Sequence, residues 1–222
     1  MNEKDRVKTA QMRRIPLVLA LETLLPSAAG AQPVGPPGPF ALDARGTLAR
    51  FHEDATVASS LGVSTENLPT RGLGLTAGAH WYPLRGRVTL GVGGEMVWAR
   101  DTRTLDVAEG SPIQAPTVTT RFSGITPQVS LNFGNRDGWS YLSVGLGRAK
   151  LSAERADAPF AQDASSVGTL NYGGGARWFA RPHLAFTFDV RFYTVNAQEA
   201  AGDRPAFPKT RMMVVSAGIS LR

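Results

Sequence analysis

The chain has 222 residues, no cysteine, 24 glycines and a formal charge of +6. These totals suit one all-β domain and exclude a disulfide framework, a cysteine-ligated metal and a lipid-modified N-terminal cysteine. The basic residues form no stripe or block beyond Arg13-Arg14, so nucleic acid is not an expected partner.

At the N-terminus, Arg13-Arg14 precedes the apolar run Ile15–Leu21 and then Thr23-Leu24-Leu25. "SAAGAQ" follows, and its Ala29-Gly30-Ala31 fits the small-x-small rule for signal cleavage. Residues 1–31 therefore read as a signal peptide, with Glu22 as a stray charge in the apolar stretch. The run is too short for a membrane-spanning helix, which needs about 20 apolar residues. Residues 32–39, "QPVGPPGP", form a Pro/Gly-rich lead-in that cannot sustain a strand ladder.

From Phe40 onward, eight segments alternate apolar and polar with the period of two that marks β-strands. They are 40–51, 72–82, 88–99, 119–133, 139–149, 168–180, 184–195 and 210–222. "LAFTFDVRFYTV", Leu184–Val195, is the clearest: Leu184, Phe186, Phe188, Val190 and Phe192 share one face, and Thr187, Asp189, Arg191 and Tyr193 the other. No helix-period segment of useful length follows residue 31.

The links alternate as well. "PLRGR", "GNRDG" and "RPH" are short turns. The links near 52–71, 100–118, 150–167 and 194–209 are long and polar, and they hold most of the acidic residues. Short turns at one end and long loops at the other is the pattern of a transmembrane barrel. An even strand count brings both ends of the domain to the short-turn side.

The two faces decide which side is inside. One carries Leu, Val, Ile, Phe, Met and Trp from every strand. The other carries Gly, Ser, Thr, Asn and Gln, with Asp43, Arg45, His80, Glu95, Arg177, Asp189 and Arg191. A solvated sheet face is normally rich in Lys and Glu, and this one is not. If the apolar face meets lipid, the small and polar residues fill a narrow eight-stranded interior. Buried charges must pair, and the three acids have the three arginines as partners. Strands of about 9–11 residues suffice to cross a bilayer. Trp81, Tyr82, Phe133, Trp139 and Trp178 near the short turns, and Trp98, Phe122, Phe192 and Tyr193 near the long loops, are expected to form two interfacial bands. An open edge in hydrocarbon would leave backbone groups unpaired, so strand eight should pair with strand one. The expected fold is an all-β, eight-stranded antiparallel up-and-down transmembrane β-barrel over residues 40–222.

Taken in order, "FALDARGTLARF", "GLTAGAHWYPL", "LGVGGEMVWA", "SYLSVGLGRA", "NYGGGARWFARPHLAFTFDVRFY" and "MMVVSAGISL" resemble the small bacterial outer-membrane β-barrel family of the OmpA-like transmembrane-domain type. The resemblance covers Phe40 to the end. It implies an outer-membrane location with the N-terminus in the periplasm. It also implies outer-membrane lipids, lipopolysaccharide and the barrel-assembly machinery as partners; it names no extracellular ligand. Two features depart from the family. "GISLR" ends in Arg222 where family members end in an aromatic that the assembly machinery reads, and no peptidoglycan-binding domain follows the barrel.

The lumen charges Asp43, Arg45, His80, Glu95, Arg177, Asp189 and Arg191 are the candidate site. They read as a structural network plugging the lumen, with an ion path or gate as the alternative. His52, His80 and His183 are the only histidines. They show no local His-x-Ser and no metal-ligand spacing, so neither a lipid-modifying enzyme nor a metal site is expected. "GVGG" and "YGGGA" lie inside strands rather than opening helices, which argues against nucleotide binding. No cofactor is expected. The leading reading is a non-enzymatic outer-membrane protein with a structural, envelope-integrity or surface-interaction role. The alternatives are a narrow channel, a lipid-modifying enzyme and a soluble periplasmic lipocalin-like barrel.

Overall fold

A computed structural model describes residues 38–106, 115–157, 165–200 and 206–222. The expected signal peptide, and all but the last two residues of the lead-in, lie outside the described residues. Eight strands follow in chain order: β1 Phe40–Arg50, β2 Arg71–Leu84, β3 Val88–Thr104, β4 Thr117–Gly134, β5 Gly138–Arg155, β6 Val167–Arg181, β7 Leu184–Val195 and β8 Thr210–Leu221. Each pairs antiparallel with the next, and β8 pairs with β1 through a register that includes Leu42↔Leu221 and Leu48↔Val215. The up-and-down barrel is closed. Closure is what hydrocarbon demands, because it leaves no edge of unpaired amides and carbonyls.

The faces are the inverse of a soluble fold. Phe186 and Phe188 are 63% and 44% exposed, while Asp189 and Arg191 on the same strand are 1% exposed. Leu73, Leu75, Trp98, Leu131, Leu146 and Ile219 also point outward on other strands. A soluble lipocalin-like barrel would hold these residues in its core. A continuous outward band of this kind is a transmembrane surface.

Three strands exceed the expected length by the most. β3, β4 and β5 have 17, 18 and 18 residues and run on into the segments read from sequence as long polar links. The reason lies on the outward face. After Trp98 on β3 and Leu146 on β5 come Arg100 and Arg148, so the strand has left hydrocarbon. The ladder continues in water, supported by Thr-rich and Val-rich sequence such as Thr117–Thr120.

The first long link also departs from expectation. It holds a short helix, α1 Ala55–Ser60, capped by the Asp54 carboxylate, which accepts from the amides of Thr56 and Val57 at 2.9 and 3.2 Å. The fourth link carries an isolated pairing between Gln198 and Phe207. The short turns match expectation. In the β4–β5 turn, the Asn135 side chain accepts from the amides of Asp137 and Gly138, and Gly134 adopts φ +141, a region that favours glycine.

The two aromatic bands are thinner than expected. Trp81, Phe133, Trp178 and Trp98 point outward, and Tyr172 stacks on Phe192 at 5.5 Å. Tyr82, Trp139, Phe122 and Tyr193 are buried inside. The period of two explains the correction: Trp81 and Tyr82 are consecutive, so they cannot share a face.

Candidate functional site

The interior has two levels. Near the short turns it is ionic. β1 turns Asp43 and Arg45 inward, β7 turns Asp189 and Arg191 inward, and β2, β3 and β6 contribute His80, Glu95 and Arg177. All seven are buried.

Arg177 grips Asp43 with two nitrogens, Nη2 to Oδ2 at 2.6 Å and Nε to Oδ1 at 3.0 Å. Ser220 Oγ donates to the same carboxylate, and Arg177 Nε also donates to Ser220 Oγ at 3.0 Å. The Arg177 guanidinium lies over the Tyr141 ring at 4.3 Å and the Trp139 ring at 5.8 Å, a further favourable environment for a cation out of water. Arg45 hydrogen-bonds Glu95 and stands 3.3 Å from Asp189. Arg191 forms ion pairs with Asp189 at 2.8 Å and Glu95 at 3.2 Å, and donates to Gln128 and Ser143 at 2.8 and 2.9 Å. Tyr141 donates to Asp189 at 2.6 Å and Tyr193 to Glu95 at 2.8 Å.

Three arginines thus face three acids, and the cluster is neutral when all six are ionised. That balance is required, since a lone buried charge costs several kcal/mol in rough terms. His80 lies 3.9 Å from Asp43 and stacks near Tyr82, with ring centroids 6.5 Å apart. His52 and His183 are exposed, and His183 bonds the Arg222 carbonyl through its ring at 3.1 Å. Among the described residues no three His, Asp or Glu side chains gather as a metal site.

Glycines make the room. Across the strand pairs, Gly78 stands opposite Asp43, Gly218 opposite Arg45, Gly93 opposite His80, Gly175 opposite Asp189 and Gly173 opposite Arg191. A Cβ at Gly175 would come 2.7 Å from the Tyr141 hydroxyl. Gly93 of "GVGG" and Gly173 and Gly175 of "YGGGA" therefore admit long lumen side chains into a barrel of minimal bore.

Toward the long loops the interior turns apolar. Val97, Val118, Phe122, Leu151, Tyr193, Met212 and Val214 from the strands form one cluster with Phe51, Val57, Ala58 and Leu68 from the first long link and Phe207 from the fourth. Phe122 and Tyr193 meet edge to face at 5.3 Å. This upper plug was not foreseen, because those link residues carry no periodic signal. Arg155 Nη1 ties β5 to the Leu61 carbonyl at 3.2 Å. Tyr141, Tyr193, Gln128, Ser143 and Ser220 complete the ionic layer. Tyr193, Gln128, Ser143 and Ser220 belong to the polar face expected from sequence; Tyr141 is the addition, two residues before Ser143 on β5. The arrangement can brace and seal a barrel. His80, the one histidine inside, faces the lumen and not the lipid, so it is placed away from any acyl substrate in the bilayer.

No family model matches this chain, and no curated protein does. Among solved structures, Neisserial surface protein A aligns with a TM-score of 0.50 at 12% identity, over 83% of this chain and 97% of that one. Ail, the attachment invasion locus protein of Yersinia pestis, solved with the heparin analogue sucrose octasulfate, aligns with a TM-score of 0.49 at 15% identity, over 85% and 98%. The N-terminal β-barrel domain of Pseudomonas aeruginosa OprF aligns with a TM-score of 0.37 at 12% identity, over 84% and 98%.

Proposed function

We propose that this chain, whose fold is that of the small OmpA-like eight-stranded outer-membrane barrels, is an exported integral outer-membrane protein. Its role is structural or surface-interacting, and it is not an enzyme. The observation that carries this reading is the pairing of an apolar outer band with a sealed, ionically braced interior. Acyl chains are the solvent that such a surface needs. The barrel is a scaffold, and its variable chemistry belongs to the four long loops. Outer-membrane lipids, lipopolysaccharide and the barrel-assembly machinery are its expected partners. Residues 1–31 act as the cleaved export signal.

The two filled levels of the lumen weigh against the channel reading. Fractionation of expressing cells tests the proposal. The full chain is expected in the outer-membrane fraction, beginning at Gln32 and migrating differently on gels before and after boiling. Recovery as a detergent-free soluble species with one boiling-independent mobility would refute it.

A further inference from the structure

The outward face has a second feature that the barrel scaffold does not require. Where the apolar band ends toward the long loops, the next outward residue is arginine on five strands, Arg50, Arg71, Arg100, Arg148 and Arg211, and on β4 Arg121 follows Ser123. Two cross-strand pairs in this collar place like charges directly opposite, Arg50↔Arg71 and Arg100↔Arg121. Such pairs are destabilising unless an anion lies between them.

The collar is most developed over β2–β5. There a groove of about 530 Å³ opens on the outer surface, lined by Leu73, Leu75 and Trp98 beside Arg100, Arg121, Lys150 and Glu154. Arg121 is held by Glu154 at 2.6 Å. Arg100 and Lys150 have no ion-pair partner among the described residues. We infer that this groove binds an outer-leaflet lipid with a multiply phosphorylated headgroup, its acyl chains on the apolar wall and its phosphates on the three cations.

The reasoning is one of complementarity. An apolar wall continuous with the lipid-facing band calls for an acyl chain, not a free anion. The cations occupy three neighbouring strands and so spread over roughly 10 Å, wider than one phosphate. Planar guanidinium groups suit phosphate oxygens. The inference rests on the outer-membrane reading, which places this end of the barrel in the outer leaflet.

Native mass spectrometry of the refolded full chain in detergent tests it, with lipid A, phosphatidylglycerol and inorganic phosphate as probes. Lipid A is expected to bind saturably, and the other two weakly. R100A/R121A/K150A is expected to weaken lipid A binding on the order of a hundredfold, at about fivefold per charge. R85A/R87A/R136A, at the opposite end, is expected to leave it within about twofold. The single variants R100A and K150A remove no described ion pair and are the second arm, at about fivefold each. Equal binding of phosphatidylglycerol, equal loss in the opposite-end variant, or no saturable lipid A binding would each overturn the inference. Boiling-dependent mobility in every variant separates such a failure from failure of the barrel itself.

Discussion

Arg177 on β6 and Asp43 on β1 are 134 positions apart in sequence, yet they meet in a two-point ion pair inside the barrel, with nitrogen–oxygen distances of 2.6 and 3.0 Å. Neither is more than marginally exposed. The pair ties the last third of the chain to the first strand, so it can form only when the cylinder has closed.

Removing one member leaves the other charged and unpaired in the interior. Asp43→Ala or Arg177→Ala should therefore destabilise the barrel by about 3–5 kcal/mol. The double variant Asp43→Leu/Arg177→Met should recover part of that loss, because both charges go together. Equilibrium urea unfolding in detergent micelles measures all three. Additive losses in the double variant would show that the two residues are not coupled.

Gly175→Val should be tolerated worse than a valine at an outward glycine such as Gly46. Its Cβ would crowd the Tyr141 hydroxyl, which donates to Asp189. Overpacking of this kind costs about 1–3 kcal/mol. At Gly46 a Cβ meets only one backbone oxygen, at 3.8 Å. A comparison of boiling temperatures for gel mobility distinguishes the two, and equal shifts would contradict the glycine-for-charge reading of the lumen.

Val92 lies midway along the outward apolar line of β3, while Thr104 lies beyond it at the long-loop end. Val92→Arg should destabilise the inserted barrel by about 2–4 kcal/mol and Thr104→Arg by about 0–1 kcal/mol. Folding into lipid vesicles across a denaturant series reads both. A larger effect at Thr104 would displace the membrane span from the band described above.

The purified protein should be electrically silent in a planar bilayer, since the ionic layer and the apolar plug each fill the bore. Replacing residues 53–68 with a short Gly-Ser linker should leave it silent, because the ionic layer remains. Unitary current steps in the wild-type protein would support the channel alternative and count against a sealed interior.

Much of this was legible in the linear order of residues, because a strand crossing lipid has only one repeating constraint. Alternate residues meet acyl chains and the rest meet one another, so the period of two marks both strands and faces. Lipid also forbids an open edge, which forces β8 onto β1. The same logic assigns Asp43, Arg45, Glu95, Arg177, Asp189 and Arg191 to the interior and requires equal numbers of each sign.

Which arginine meets which acid needed the tertiary structure. Arg177 chooses Asp43 over Asp189, although Asp189 lies on the adjacent strand, because the stagger of eight strands sets the heights of their side chains around the bore. The apolar plug belongs to the same class: Val57, Leu68 and Phe207 come from links, and a link has no strand period to betray the side it buries. The strands' continuation past the membrane was hidden for a related reason. Once the outer face is in water, apolar residues such as Val118 and Leu151 are sealed inside as in any soluble fold, and the rule that held in lipid no longer marks the strand.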